Sequence, residues 1–457
     1  MIDAPENLVR APRARIEAVQ EQNFATMMDL CFRGHPYYRR VIERLDLRRA
    51  DFRSLADLSL LPLTFKRDYM SAPHDFVLAG LDDQPEEMRI VWDTMHTTGT
   101  TGGKPTPFVQ TTYDFYNILT SNRRALEIRG LRETDIVANL CPLTIYPYGG
   151  FIRTIHACAV MKIPVLSLMP GHPSPYFHWA SDMAEVVAGI VRTRATVLWG
   201  VASYVRRVIL AAEAAGADFS AVRLCLVTGE AVTEAMRSDM VGRLERLGAK
   251  APWISVSYAA TEMQVGTVEC QAGSGYHNPA PEEFHFSIVD PETHAPLPDG
   301  ERGLVVLTHL NRRGTVLLRY ALGDTSVITR TPCPHCGSVT DRLIELPQRA
   351  DDLVKVKGML IHPAAIGEAL VGGLGIAEYQ IVIDRDDPAD PLSTDKLIVR
   401  AAAGAADPGL RGRIVDVVKA ACGVRPEVEI VAMSEIYDPD RAMKSKRLID
   451  RRKEPYK

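Results

Sequence analysis

The chain has 457 residues, 46% of them hydrophobic and 24% charged, with a formal net charge of −4. Such a composition suits a protein that buries large cores, and the length allows several domains. The near-neutral charge excludes any general electrostatic drive toward nucleic acid or an anionic membrane, so partners are expected to be met at a site.

Residues 1–17 mix Asp, Glu and Arg without an apolar core, so no signal peptide is expected and the location is expected to be cytoplasmic. Apolar positions at helical spacing (Ile16, Val19, Phe24, Met27, Met28, Leu30) predict an opening helix over 15–33, interrupted at His35-Pro36 and resumed over 37–45. Ser54 to Leu58 reads as a further helix ending at the Leu61-Pro62-Leu63-Thr64-Phe65-Lys66 turn.

The apolar run Ile90-Val91-Trp92 predicts a strand, and a polar loop follows it: Thr97, Thr98, Gly99, Thr100, Thr101, Gly102, Gly103 and Lys104. Glycines let backbone N–H groups point inward, threonines add donors and lysine adds charge, which is the chemistry of a phosphate cradle; a plain surface turn is the alternative. A Walker loop is excluded, because Thr98 stands where it needs glycine and Pro105 where it needs Ser or Thr.

A helix is predicted over 113–128 and a strand over 136–140. Tyr146, Tyr148 and Phe151 then interleave with Gly149 and Gly150 ahead of an apolar helix; this is either a flat slot for a ring-bearing ligand or a packed turn. The stretches 157–169 and 186–205 are apolar but are broken by Lys162 and Pro164, or by Arg192 and Arg194, short of membrane-spanning length. No membrane span is expected.

Strands at 196–199, 224–228 and 254–258 alternate with helices at 204–215 and 233–247, the pattern of an α/β protein carrying ligand loops at the carboxyl ends of its strands. Two of those loops carry carboxylates, Thr228-Gly229-Glu230 and Tyr258-Ala259-Ala260-Thr261-Glu262. Glu230 reads first as a charge at a helix N-terminus.

From Phe284 the texture is β-rich, with strands predicted at 284–288, 303–310 and 316–320 and a tight turn at Gly323-Asp324. Cys270, His277, Cys333 and Cys336 have the makings of a tetrahedral Cys₃His zinc site, since the two-residue gap in Cys333-Pro334-His335-Cys336 lets both sulfurs face one ion. His335 and His285 compete as ligands, and a redox pair is the other use of that spacing. Cys31, Cys141, Cys158, Cys225 and Cys422 read as core.

A boundary is expected at Arg349-Ala350-Asp351-Asp352. Beyond it an α+β module is predicted, with strands at 353–357, 379–384, 396–400 and 428–431 and helices at 363–371 and 410–421. It ends in the basic run 444–453, which on composition alone reads as a solvated terminus.

The glycine-threonine loop, the Tyr258–Glu262 segment, Gly323-Asp324, the 349–352 boundary and a lysine near the C-terminus, taken in this order, resemble the adenylate-forming (acyl/aryl-CoA synthetase) superfamily. More narrowly the chain resembles the phenylacetate–CoA ligase family, over nearly its whole length. The resemblance implies a large N-terminal adenylation domain, 1–350, of α/β subdomains and a β-rich subdomain, holding the ATP, acid and zinc sites. It also implies a small mobile α+β C-terminal domain, 351–457, that carries the adenylation lysine.

By the same resemblance the loop containing Thr97, Thr98, Gly99, Thr100, Thr101, Gly102 and Lys104 binds the β- and γ-phosphates of ATP. Gly229, Glu230, Tyr258 and Ala259 line the adenine side, Thr261 touches the α-phosphate and Glu262 holds Mg²⁺. Asp324 and Arg349 bind the ribose, Asp351 is the hinge, Lys444 serves the adenylation step, and Lys357 and Gly358 face CoA in the second step. Tyr146, Tyr148, Phe151, Trp199, Ala259 and Met263 are the expected acyl pocket. The chain departs from the family pattern at Gly103, an additional glycine, at Ala259 and at Met443, both in places where glycine is usual.

The implied reaction is ATP-dependent activation of an aromatic (aryl or arylacetic) acid through an acyl-adenylate, with transfer to coenzyme A and release of AMP and pyrophosphate. Delivery to an acyl carrier protein or an amine is the first alternative, and a non-catalytic nucleotide- and zinc-binding protein is the second. Charge accumulating on the phosphate oxygens calls for Mg²⁺ and a lysine rather than a side-chain nucleophile, in keeping with the lack of an obvious Ser/His/Asp or Cys/His arrangement. A homodimer is compatible with the sequence, in which no coiled coil or interface motif is evident.

Overall fold

The computed structural model describes residues 6–96, 105–143, 149–171, 179–349, 354–357, 359–372, 374–387, 393–403, 407–438 and 445–453. Thr97 to Lys104, Tyr146, Tyr148, Asp351, Gly358, Met443 and Lys444 lie outside the described residues, and only the backbone of Arg349 is described, in the strand Gln348–Arg349. The chain divides into two compact units, one of residues 1–139, 143–166 and 255–348, the other of 140–142, 167–254 and 349–457.

The first unit opens with helices Arg13–Gly34 and Pro36–Arg44. Pro36 occupies the first helical turn, where its missing N–H costs nothing, and the ring Nδ1 of His35 accepts the Tyr38 N–H at 3.2 Å. The helix expected after Ser54 is instead a 3₁₀ segment, Leu55–Leu60, started by Asp57 accepting the Ser54 N–H at 2.8 Å.

Helix Thr112–Ile128 begins in a reciprocal cap. The Thr111 hydroxyl accepts the Asp114 N–H, and the Asp114 carboxylate accepts the Thr111 N–H. The same buried carboxylate accepts the N–H groups of Arg313 and Gly314 at 2.8 and 2.7 Å, fixing a distant loop against the helix.

A run of mainly antiparallel strands forms the β-rich part. Phe284–Val289 pairs with Arg302–His309, and that strand with Tyr320–Thr329. Arg342–Leu343, Tyr276–His277 and Gly266–Val268 continue the order to Trp253–Ala259. The strand expected at 316–320 is not one, because its N–H groups bond elsewhere than to a ladder. Val316 donates to the Phe76 carbonyl, Leu317 to His309 Nδ1, Leu318 to the Tyr38 hydroxyl and Arg319 to the Thr308 hydroxyl.

Gly323-Asp324, expected as a tight turn, lies inside the strand Tyr320–Thr329 as a bulge. Thr325 faces Leu304 and Ala321 faces Val306, so Leu322, Gly323 and Asp324 together oppose Val305. Gly323 takes φ +83°, which glycine adopts at little cost.

In the second unit Val197–Val201 and Leu224–Thr228 are paired parallel, with helices Met183–Thr193, Ala202–Ala214 and Glu234–Arg246 among its elements. Its C-terminal part is a four-stranded sheet in the order Glu427–Ile430, Asp395–Ala403, Ile376–Arg385, Leu448–Asp450. Helices Pro363–Val371 and Leu410–Cys422 contribute to its core, in which Ile366, Leu370, Ile381, Val399, Ile414 and Val418 are buried. In the basic run Leu448–Asp450 pairs parallel with Ile376–Arg385, and Arg447 pairs with the buried Glu378 carboxylate at 3.1 Å. The protein is thus α/β, and among the described residues no helix is long and apolar enough to cross a membrane.

Candidate active site

In the first unit Ser255 to Ala259, the carboxyl part of the strand Trp253–Ala259, carry Tyr258, and the chain turns through residues 260–264. The turn is closed by the Met263 N–H on the Ala260 carbonyl at 3.0 Å and by the Gln264 amide on the Thr261 carbonyl at 2.6 Å, with Gln264 at φ +62°. Two side-chain bonds tie this segment to the bulged strand. The Tyr258 hydroxyl donates to Asp324 Oδ2 at 2.7 Å, and the Tyr320 hydroxyl donates to Glu262 Oε1 at 3.1 Å. Each segment therefore gives a phenol to the other's carboxylate, and it is the bulge that carries Asp324 to its partner.

Sequence reasoning did not single out Tyr320, His309 or Arg312, yet all three hold this turn. His309 is 2% exposed; its Nδ1 accepts the Leu317 N–H, so Nε2 carries the proton and donates to the Glu262 carbonyl at 2.9 Å. Burial, then the neighbouring Arg312, pushes the imidazole down to about 3, and it stays neutral. Arg312 donates to the Met263 carbonyl at 3.0 Å. Burial, reinforced by the Glu262 charge, pushes the Tyr320 phenol up, so it remains a donor. The available signal for Tyr320 was its place shortly before Gly323-Asp324 in the sequence; nothing local marked His309.

Arg153 was also missed. It is largely buried and donates to Gln110 Oε1 at 2.8 Å and to Gln264 Oε1 at 3.1 Å, bracing the same turn from the helix Gly149–Met161. Burial pushes its guanidinium down to about 10, still charged at neutral pH. Phe151 lies on that helix, half-buried, with its carbonyl bonded to the Asn139 amide at 3.2 Å. Met263 is fully enclosed and Ala259 is exposed.

In the second unit Gly229 follows the strand Leu224–Thr228 at φ +81° and turns the chain into Glu230. The Glu230 carboxylate accepts the Ser203 N–H at 2.8 Å, in the first turn of helix Ala202–Ala214, and the Ser445 N–H at 3.1 Å. The helix-terminus reading of Glu230 holds, but for a helix other than the one that follows it. Trp199 is half-buried in the strand Val197–Val201, and Lys357 is exposed with its N–H on Asp395 Oδ2 at 3.0 Å.

Cys270, His277, Cys333 and Cys336 come together in the first unit, their ligand atoms all within 4.8 Å of one another. Cys270 Sγ and Cys333 Sγ are 3.8 Å apart, as are Cys336 Sγ and His277 Nε2. Tetrahedral bonds of ~2.3 Å to sulfur place sulfurs ~3.8 Å apart, so the donor set fits zinc. Burial pushes His277 down to about 4, leaving a neutral imidazole, and pushes the Cys270 thiol up to about 12. Burial opposes the Cys333 thiolate too, but the N–H groups of Cys336 and His335 outweigh it and lower that thiol. His285 stands apart from the group, with Nδ1 3.7 Å from Asp341 Oδ2.

The profile of the AMP-binding enzymes matches residues 82–311, half of the chain, and that of the AMP-binding enzyme C-terminal domain matches residues 358–452. The chain belongs to the AMP-binding enzymes. The adenylate-forming family expected from the motifs is therefore the right one. This AMP-binding enzyme is 28% identical over 407 residues to a phenylacetate-coenzyme A ligase of Thermus thermophilus, covering 85% of this chain and 83% of that one. It is 26% identical over 386 residues to the phenylacetate-coenzyme A ligase of Escherichia coli, covering 83% and 81%. Its fold matches the crystal structure of a 2-hydroxyisobutyryl-CoA ligase in the postadenylation state with 2-HIB-AMP. There the TM-score is 0.80 at 22% identity, over 97% of this chain and 91% of that one.

Proposed function

We propose that this AMP-binding enzyme is an ATP-dependent acid–CoA ligase that activates an aromatic, aryl or arylacetic, acid as its acyl-adenylate and passes the acyl group to coenzyme A. The observation that carries the reading is the paired phenol–carboxylate lock, Tyr258 on Asp324 and Tyr320 on Glu262, within a chain similar to phenylacetate-coenzyme A ligases.

In this reading Asp324 and Arg349 take the ribose hydroxyls, Gly229, Glu230, Tyr258 and Ala259 the adenine side, Thr261 the α-phosphate, and the 97–106 loop the β- and γ-phosphates. Glu262 is the ligand for Mg²⁺, which when bound supplies positive charge against that building on the phosphate oxygens. Lys444 serves adenylation, and Lys357 with Gly358 faces CoA after the domain of residues 351–457 turns about Asp351. Phe151, Trp199 and Met263, with Tyr146 and Tyr148, shape the acyl site. Cys270, His277, Cys333 and Cys336 hold a structural Zn²⁺, supported by their mutual spacing. The enzyme is cytoplasmic and acts on small molecules.

The test is a panel of benzoate-, phenylacetate- and heteroaromatic-type acids with ATP, Mg²⁺ and CoA, read as pyrophosphate and CoA thioester. Adenylation that continues without any dependence of AMP release on CoA would replace the thiol acceptor by a carrier protein or an amine.

A further inference from the structure

We infer that Tyr320 is a positioning residue for the nucleotide half of the reaction, setting the orientation in which the Glu262 carboxylate meets a divalent cation. The inference rests on the reading of Glu262 as the metal ligand. Tyr320 opens the strand Tyr320–Thr329 and is 1% exposed, and its hydroxyl reaches Glu262 Oε1 at 3.1 Å. A buried phenol needs a partner, and a carboxylate is the strongest one a neutral O–H finds.

The lock on Glu262 has two further points. Its carbonyl is held by His309 and the carbonyl of Met263 by Arg312, so the backbone carrying the carboxylate is tied down while Tyr320 holds one carboxylate oxygen. His309 is set in turn by the Leu317 N–H, which determines which ring nitrogen donates. All these donors come from residues 309–320, from the end of the strand Arg302–His309 to the start of the strand Tyr320–Thr329, and their side chains bond back to the turn at 260–264. A carboxylate offers several lone-pair sites, and the Tyr320 phenol on Oε1 restricts its rotation while using one of them. Outer-shell partners of this kind change metal affinity or activity by ~10–100-fold when removed.

The Tyr320→Phe variant keeps the ring and removes only the donor. Mn²⁺ serves as the probe: with ATP and the full chain, bound cation is read from the loss of the free-ion EPR signal beyond that caused by the same ATP without protein, which requires no knowledge of the acid. The expected result is a rise of ~10–100-fold in the dissociation constant for Mn²⁺, with binding of ATP in the presence of EDTA unchanged and the melting temperature close to that of the native chain. His309→Gln, which loosens the same turn from its other side, moves Mn²⁺ binding in the same direction. Glu262→Gln separates the two readings. If Glu262→Gln weakens Mn²⁺ binding while Tyr320→Phe leaves it unchanged, the inference fails and the role of Glu262 stands. If neither changes it, the role of Glu262 fails and takes the inference with it. Loss of metal-free ATP binding in Tyr320→Phe would also overturn it, because the residue would then shape the nucleotide pocket at large.

Discussion

The Glu230 carboxylate accepts the backbone N–H of Ser445 at 3.1 Å while its other oxygen holds the first turn of helix Ala202–Ala214. Ser445 directly follows Lys444, so one carboxylate links the Gly229 turn to the segment on which the adenylation lysine is proposed to sit. Replacing Glu230 by alanine removes a charge-assisted acceptor from both. Losing such a bond costs about 1.5–3 kcal/mol, or roughly 10–100-fold in rate if it is needed at the transition state. The expected outcome is a fall of that order in ATP–pyrophosphate exchange, with a smaller effect on thioester formation from a supplied acyl-adenylate. Equal loss in both half-reactions would reduce Glu230 to a helix cap.

Tyr258 and Asp324 make a prediction about nucleotide affinity. Tyr258→Phe leaves the Asp324 carboxylate without its phenol, and a bond of this type is worth about 1–3 kcal/mol. KM for ATP is expected to rise about tenfold or more while KM for the acid changes little, as measured by initial rates with each substrate varied. An effect confined to the acid would move these residues out of the ribose and adenine sites.

The cysteine–histidine cluster predicts about one zinc ion per chain by elemental analysis. Removing it with a chelator, or substituting Cys333→Ser, is expected to lower the melting temperature by ~5 °C or more, because a metal that binds only the folded chain stabilises it. A chain that is metal-free as purified, with a melting temperature insensitive to zinc, would leave the four residues as a buried thiol group.

Stability should also depend on pH with a determinable sign. Burial holds His309 at about 3 and His35 and His285 at about 4, below the ordinary 6.5. The unfolded chain therefore takes up protons that the folded one refuses, and stability present above pH 6.5 is lost progressively as the pH falls toward 4 and 3. Glu283 works the other way. Burial pushes it up to about 8 from 4.5, so its contribution is present below 4.5 and lost as the pH rises through 8. Burial raises Glu282 as well, and the three histidines still outnumber the two carboxyls, so the melting temperature is expected to peak near neutrality and decline on acidification from 6.5. A flat profile between pH 7 and 5 would contradict this.

Much of the fold can be read from local pattern. Val197–Val201, Leu224–Thr228 and the helices beside them follow from apolar runs and spacing, and Cys270, His277, Cys333 and Cys336 from ligand chemistry. The misreadings are those in which a distant partner decides. Val316 to Arg319 has the composition of a strand, but Tyr38, Phe76, Thr308 and His309 take its N–H groups. Gly323-Asp324 has the composition of a turn, and only the pairing of Leu304 and Val306 with the residues on either side makes it a bulge. His309 and Arg312 act through backbone carbonyls of the 260–264 turn, a contact that no local motif encodes.

Adenylation of an aromatic acid is read by acid-dependent ATP–pyrophosphate exchange followed by thioester formation. Exchange is expected with at least one aryl or arylacetic acid in the presence of Mg²⁺, with its loss in Lys444→Ala and a CoA thioester once CoA is added. An absence of exchange across the whole panel, in a folded chain that binds ATP, would contradict it.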